Sequence, residues 1–297
     1  MRYIESIKFP DIQLIDKYMN SDRSFYPWTI FFYNGLETIS CKDITMLYGN
    51  NGSGKSTILN LIASTINANR CVDIYKDIYW VDSLLKDVCP YDDMVKYIKY
   101  EMDYDGQNKI QMPSNRKMIT SDDIFAEIAR RVKHNNIRKE SVDKARQEIN
   151  IILERGYQYK SMKDIDQLNA LLEARKMSKR DYIAKYSSRR ENMMSNGETA
   201  LEYFSKEFEN GGIFLLDEPE NCLSPVYQLE LMQLIQDATT NYDCQFIIST
   251  HSPILLSMDN SFIYNLDRSP VTIDKWSDLE NVEIYHDFFK KHDEDFK

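Results

Sequence analysis

The nine residues Gly49-Asn50-Asn51-Gly52-Ser53-Gly54-Lys55-Ser56-Thr57 combine glycines, one lysine and hydroxyl side chains in the spacing G-x-x-x-x-G-K-[ST]. Glycines in such a loop let backbone N–H groups curl around phosphate oxygens, and a helix opening directly after it adds positive potential. Lys55 can reach the outer phosphates, while the Ser56 hydroxyl suits Mg²⁺. Asn50, Asn51, Gly52, Ser53, Gly54, Lys55, Ser56 and Thr57 are therefore the candidate nucleotide-binding residues. Lys55 is expected on an exposed loop, where its removal disturbs no core packing.

Two further clusters match this chemistry. Ile213-Phe214-Leu215-Leu216-Asp217-Glu218 is an apolar run ending in two carboxylates, at the strand end where ligands of α/β sheets collect. Asp217 would hold Mg²⁺ together with Ser56, and Glu218 would polarise an attacking water. His251 follows the apolar run Gln245 to Ser249 and precedes Ser252-Pro253, a capped helix start that would hold its imidazole rigid. A lone histidine is more often structural; this position favours a γ-phosphate contact, which makes Glu218 and His251 the catalytic candidates. Ser195-Asn196-Gly197-Glu198 forms a fourth group: a hydroxyl donor, a glycine that permits close approach, and a carboxylate opening a helix whose dipole favours an anion. Read alone, it is an N-cap for a helix from Glu198 to Phe208.

These residues need elements to carry them. Ile44 to Tyr48 reads as a strand, and the spacing of Ile58, Leu61 and Ile62 as a helix after the loop. RYIESIKF and WTIFFY look like strands. Ile213 to Leu216 and Gln245 to Ser249 are continuous apolar runs, as expected of strands buried on both faces of a parallel sheet. Ser224-Pro225 opens a helix through about Ala238, Ser261 to Leu266 is a further strand, and NVEIYHDFFKK a terminal helix. Asp82 to Thr120 has weak periodicity, whereas Ser121 to Arg190 is charged, mostly helical in pattern and free of proline. The expected division is a nucleotide-binding core over 1–80 and 190–297 with an inserted, mostly helical lobe over 81–189.

A chain of 297 residues with 42% hydrophobic content can bury a substantial core. Its formal net charge of −10 argues against a generally basic, nucleic-acid-coating surface. Cys41, Cys71, Cys89, Cys222 and Cys244 are scattered and never form a C-x-x-C pair, so neither a disulfide framework nor a zinc site is indicated, and a reducing cytoplasm fits best. With neither a signal peptide nor a membrane span in the pattern, the expectation is a soluble protein with no membrane association. Arg175 to Arg190 carries a basic run, by default a solvated helix face and alternatively a surface for phosphate or an acidic partner.

The four motifs, in this order, resemble the ATP-binding cassette (ABC) ATPases, and DEPEN-x-LSP resembles their soluble, non-transporter branch. That branch includes chromosome-maintenance ATPases, the ATPase part of overcoming-lysogenization-defect nucleases, and stand-alone bacterial ATPases grouped with abortive-infection proteins. The resemblance implies an α/β P-loop fold with a mainly parallel sheet and inserted helical lobe, ATP and Mg²⁺ as cofactors, and hydrolysis of ATP to ADP and phosphate. It also implies a homodimer with ATP at the interface, in which Ser195, Gly197 and Glu198 contact the nucleotide of the opposite chain. An effector protein encoded nearby and nucleic acid are candidate partners, and anti-phage defence or DNA maintenance the candidate settings. The glutamine that usually senses Mg²⁺ and water has no clean match: Gln111 is one candidate, and Ser121, Asp122 or Asp123 could occupy its loop. The alternatives are the ATPase subunit of a transporter and a nucleotide-gated interaction module with little hydrolysis.

Overall fold

A computed structural model describes residues 2–11, 13–15, 27–70, 94–154 and 195–297, together with Leu172, Lys176, Ser178, Lys179 and Asp181. In chain order the elements are β1 (Ile4–Lys8), α1 (Trp28–Asn34), β2 (Thr38–Ser40), β3 (Ile44–Tyr48), α2 (Lys55–Thr65), β4 (Asn69–Arg70) and β5 (Lys99–Met102). A small ribbon, β6 (Tyr104–Asp105) and β7 (Asn108–Lys109), precedes β8 (Arg116–Thr120) and α3 (Ser121–Glu154). Then follow α4 (Asn196–Phe208), β9 (Gly212–Asp217), a 3-10 turn (Pro219–Cys222), α5 (Pro225–Asn241), β10 (Cys244–Ser249), α6 (Pro253–Leu256), β11 (Phe262–Asn265), β12 (Thr272–Asp274) and α7 (Glu280–Lys291).

Among the described residues the central sheet has seven strands in the order β12-β11-β3-β10-β9-β8-β4, with only the edge strand β12 antiparallel. Every residue of β3, β9 and β10 is buried, which explains their continuous apolar runs. Their register sets Leu47, Ser249, Asp217 and Thr120 side by side across four strands. Because these strands run parallel, the residues one or two positions beyond that row emerge at one end of the sheet. On one face α4 packs through Phe208, whose ring meets Phe214 and Phe246 at centroid separations of 4.9 Å and Phe204 of its own helix at 5.7 Å. Burial of such rings adds about 0.5–1.5 kcal/mol per aromatic pair beyond area alone.

Three sequence expectations change. WTIFFY is a helix, not a strand: Trp28 and Phe31 share a buried helical face, and Gly35, in the left-handed conformation at φ 59°, ends it with its N–H donating to Phe31 O. RKMIT, within a stretch of weak periodicity, is β8 and pairs in parallel with β9. The compact units are also divided differently from the sequence reading: residues 1–125 and 196–297 form one, and 126–195 the other. In the second unit the continuation of α3 buries Ala145 and Ile149. Most of the basic run Arg175 to Arg190 lies outside the described residues.

A separate antiparallel sheet, β2-β1-β5, is tied to the central one by the Tyr264 hydroxyl of β11, which bonds the backbone of Ser40, and by the fully buried Gln245 of β10. Gln245 Oε1 accepts from Tyr3 N (3.0 Å) and Ile4 N (2.8 Å), while Nε2 donates to Ile4 O (2.8 Å) and Lys42 O (3.1 Å). Gln245→Leu keeps the volume but strands these backbone groups away from water, so it is expected to cost about 3–5 kcal/mol of unfolding free energy. Urea denaturation measures it, and a loss below about 1 kcal/mol contradicts the bridging role.

Candidate functional site

The loop 49–54 leaves β3 and enters α2 through Gly54, whose φ of 97° is a conformation that favours glycine. A Cβ there would also meet Ile30 Cγ2 at 2.8 Å, so shape and backbone both require glycine. Asp267, just after β11, accepts the Asn50 N–H on its carboxylate at 2.8 and 2.9 Å and pins the start of the loop. Lys55 is not exposed: it retains only 4% of its surface. Its ammonium donates to Gly49 O (2.8 Å) and Asn50 O (3.3 Å) and lies 3.8 Å from Glu218 Oε1. Burial lowers its pKa, opposed chiefly by the charges of Glu218 and Asp217. Thr57 is buried in the first turn of α2.

Asp217 ends β9 and is nearly buried. Its Oδ1 accepts from Ser56 Oγ at 2.9 Å and also from Ser249 Oγ of β10. Burial raises its pKa, and the Ser249 and Ser56 hydroxyls pull it back. Glu218 follows in the left-handed region (φ 47°, ψ 54°), a backbone state that costs a non-glycine residue about 1–2 kcal/mol. Its N–H donates to Ser249 O (3.0 Å) and Oγ (3.1 Å), and its Oε2 accepts from Asn221 Nδ2 (3.0 Å). His251, two residues past β10, brings Nε2 to 3.4 Å from Glu218 Oε1. Burial, then the Lys55 charge, lowers the imidazole pKa.

Lys55, Ser56, Asp217, Glu218 and His251 thus converge at the C-terminal ends of β3, β9 and β10. The sequence reading missed the residues that hold them. Ser249, Glu220 and Asp267 sit beside strand ends, but nothing local in sequence says which distant group each will bind. For the sensor position, Ser121 lies just past β8 in this same end, with its hydroxyl 3.4 Å from the Glu218 carbonyl and 3.3 Å from Asn221 Nδ2. Asp123 instead accepts from the Thr120 N–H at 2.8 Å. Gln111 precedes the opposite end of β8.

The fourth motif is placed on α4. Ser195 is exposed directly before that helix, Asn196 and Glu198 are exposed on its first turn, and Gly197 is buried. A Cβ on Gly197 would stand 2.2 Å from Tyr227 Cδ2 of α5, so this glycine is needed by helix packing within the chain.

The groups suit a magnesium nucleotide. Ser53 Oγ, inside the loop, is buried with no partner among the described residues. Ser56 and Asp217 present a hydroxyl and a carboxylate side by side. Among the described residues no cluster of three or more His, Cys, Asp or Glu side chains could hold a metal alone.

Comparison with known proteins agrees with this chemistry. A family model described as "ABC transporter" matches residues 36–221. Another, described as "AAA domain, putative AbiEii toxin, Type IV TA system", matches residues 204–257. No curated protein matches the chain. Similar solved structures include a head domain of SMC from Thermotoga maritima, 12% identical over 92% of this chain and 99% of that one, TM-score 0.40. An ATP-binding cassette of an ABC transporter in its ADP conformation is 15% identical over 96% and 99% of the two chains, TM-score 0.41. An Smc head from Pyrococcus furiosus bound to a domain of ScpA is 13% identical over 98% and 99%, TM-score 0.40.

The depressed basicity of His251 is directly measurable. Its NMR titration midpoint is expected below the ordinary value of about 6.5, leaving a neutral imidazole at pH 7. Because the unfolded chain then binds the proton more readily, the associated stability is present above about pH 6.5 and is lost as pH falls. A midpoint above 6.5 contradicts this description of the site.

Proposed function

The chain belongs to the ATP-binding cassette family described as ABC transporters, and from that premise we propose that it binds and hydrolyses Mg-ATP as a two-chain conformational switch. The observation that carries the reading is the convergence of Lys55, Ser56, Asp217, Glu218 and His251 at one sheet end. Asn50, Asn51, Gly52, Ser53 and Gly54 offer the loop that takes the phosphates, with Thr57 behind it. Lys55 exchanges carbonyl acceptors for phosphate oxygens, a charge-assisted hydrogen bond. Magnesium, held by Ser56 and Asp217, would neutralise charge on the phosphate oxygens. Glu218, already turned toward Lys55 and His251, aligns the attacking water and accepts from it. His251 donates to the outer phosphate as a neutral imidazole.

In this proposal Ser195, Gly197 and Glu198 complete the site of a second copy. The exposure of Ser195 and Glu198 at the start of α4 supports it. Gly197 is committed to Tyr227, so its contribution there is its backbone N–H. We place the switch in the cytoplasm, acting on an effector protein or nucleic acid, with anti-phage defence as its setting. The description of the family matched at 204–257 supports that setting. No described helix is long and apolar enough to cross a membrane.

A second reading, nucleotide-gated binding with little hydrolysis, is favoured by one observation: Ser121 occupies the strand end where the resemblance expects a glutamine. Its short side chain cannot reach as far toward water or metal as a glutamine would.

Two variants test the main reading. Lys55→Ala should weaken ATP binding by at least about a hundredfold, the loss expected for a buried charged donor, while circular dichroism stays native. Glu218→Gln should retain ATP, lower kcat by at least about a hundredfold, and accumulate an ATP-bound dimer in light scattering. Unchanged affinity in the first, or normal turnover in the second, contradicts the assigned roles.

A further inference from the structure

Glu220 is the second acid after Asp217, and none of the roles proposed above for phosphate, metal or water uses it. Its Oε1 accepts from three donors of one turn: Thr250 Oγ1 at 2.7 Å, His251 N at 2.7 Å and Ser252 N at 3.2 Å. The other oxygen, Oε2, is buried with no hydrogen-bond partner from another described residue. The turn is tied further by its own bonds. Ser252 N also donates to Thr250 Oγ1 (3.0 Å), and Ser252 Oγ donates to Gln228 Oε1 (2.6 Å) while accepting from Leu255 N (3.3 Å).

A buried carboxylate is costly to retain, because desolvation disfavours its charge. Burial indeed raises the Glu220 pKa, opposed by the His251 N–H and the Thr250 hydroxyl. An aliphatic residue would avoid this cost but would orphan the His251 N–H and the Thr250 hydroxyl hydrogen, and leave Ser252 N with Thr250 Oγ1 alone, at the turn that aims His251. The neighbouring bonds make the purpose specific. Glu218 N is held by Ser249, at the end of β10, and Glu220 holds the residues that follow β10. The carboxylate segment and the histidine segment are thus joined on both sides of the 3.4 Å approach between Glu218 and His251.

We infer that Glu220 is a positioning residue whose buried carboxylate clamps the Thr250–Ser252 turn and so fixes the His251 imidazole against Glu218. The catalytic consequence rests on the ATPase reading above; the clamp itself does not. Loss of the clamp should act on turnover and leave nucleotide affinity to the P-loop. Glutamine can replace the acid, because its carbonyl keeps the acceptor at Oε1 and its amide group occupies the partnerless Oε2 position.

Hydrogen exchange by mass spectrometry, on the full chain without nucleotide, tests the clamp. In Glu220→Ala, peptides covering Thr250–Ser252 should exchange at least about tenfold faster, those from β3 should be unchanged, and Glu220→Gln should stay within about threefold of the unsubstituted protein. Thr250→Val removes one of the donors with little change of volume, and should accelerate the same peptide to a lesser degree, so the test survives if Glu220→Ala folds poorly. ATPase assays test the consequence. Glu220→Ala should lower kcat by at least about tenfold with ATP affinity within about threefold, and Glu220→Gln should restore turnover. Added to His251→Ala, it should cost less than about threefold more, since both changes remove the same contribution. Unaltered exchange at 250–252 in both Glu220→Ala and Thr250→Val, or losses that multiply with His251→Ala, would overturn the inference. Because exchange is read without nucleotide, a chain that failed to hydrolyse ATP would count against the ATPase reading and leave the clamp to be decided by exchange.

Discussion

Asp217 is a carboxylate at the end of a fully buried strand, and the geometry of the site depends on how its charge is accommodated. One of its oxygens takes hydroxyl bonds from Ser56, on the helix after the phosphate-binding loop, and from Ser249, on the neighbouring strand. That oxygen therefore ties three segments that are far apart in sequence. Ser249 also accepts the N–H of Glu218, which holds that residue in its left-handed conformation and directs it toward Lys55 and His251. The register of the parallel sheet makes this possible, because Leu47, Ser249 and Asp217 lie in one row. Glu218 and His251 project one or two residues beyond it.

The same constraint explains which features were legible in sequence. Strands buried on both faces must be apolar throughout, so β3, β9 and β10 announce themselves, and the motifs follow directly at their ends. Proline at the first helical position likewise marked α5 and α6. β8 was not legible, since RKMIT is short and its outer residues are only partly buried. WTIFFY misled because six residues of β-branched and aromatic type satisfy a strand, whereas the chain uses Trp28 and Phe31 at helical spacing.

Within the site, the residues that converge at the sheet end were recognisable from type and spacing, but their supports were not. Gln245, Asp267 and Glu220 each satisfy backbone groups of a distant or neighbouring segment, and such bonds leave no periodic trace. Gly197 illustrates the opposite difficulty. Its place in a short motif suggested close approach by a ligand, and the close approach in this chain is that of Tyr227. Both uses can coexist, because packing needs the missing Cβ and anion recognition needs the backbone N–H at a helix start.

The central claim is that each ATP site is built from two chains, one giving the P-loop and the other Ser195, Gly197 and Glu198. Mixing two inactive variants tests it most directly. In a mixed dimer of Ser195→Arg and Lys55→Ala, one site keeps both elements intact and the other loses both. ATPase activity, measured alongside ATP-dependent mixed dimerisation, is predicted to be low for each variant alone and to recover in part on mixing. Full activity and normal dimerisation of Ser195→Arg by itself would reduce the fourth motif to a helix cap and contradict the two-chain site.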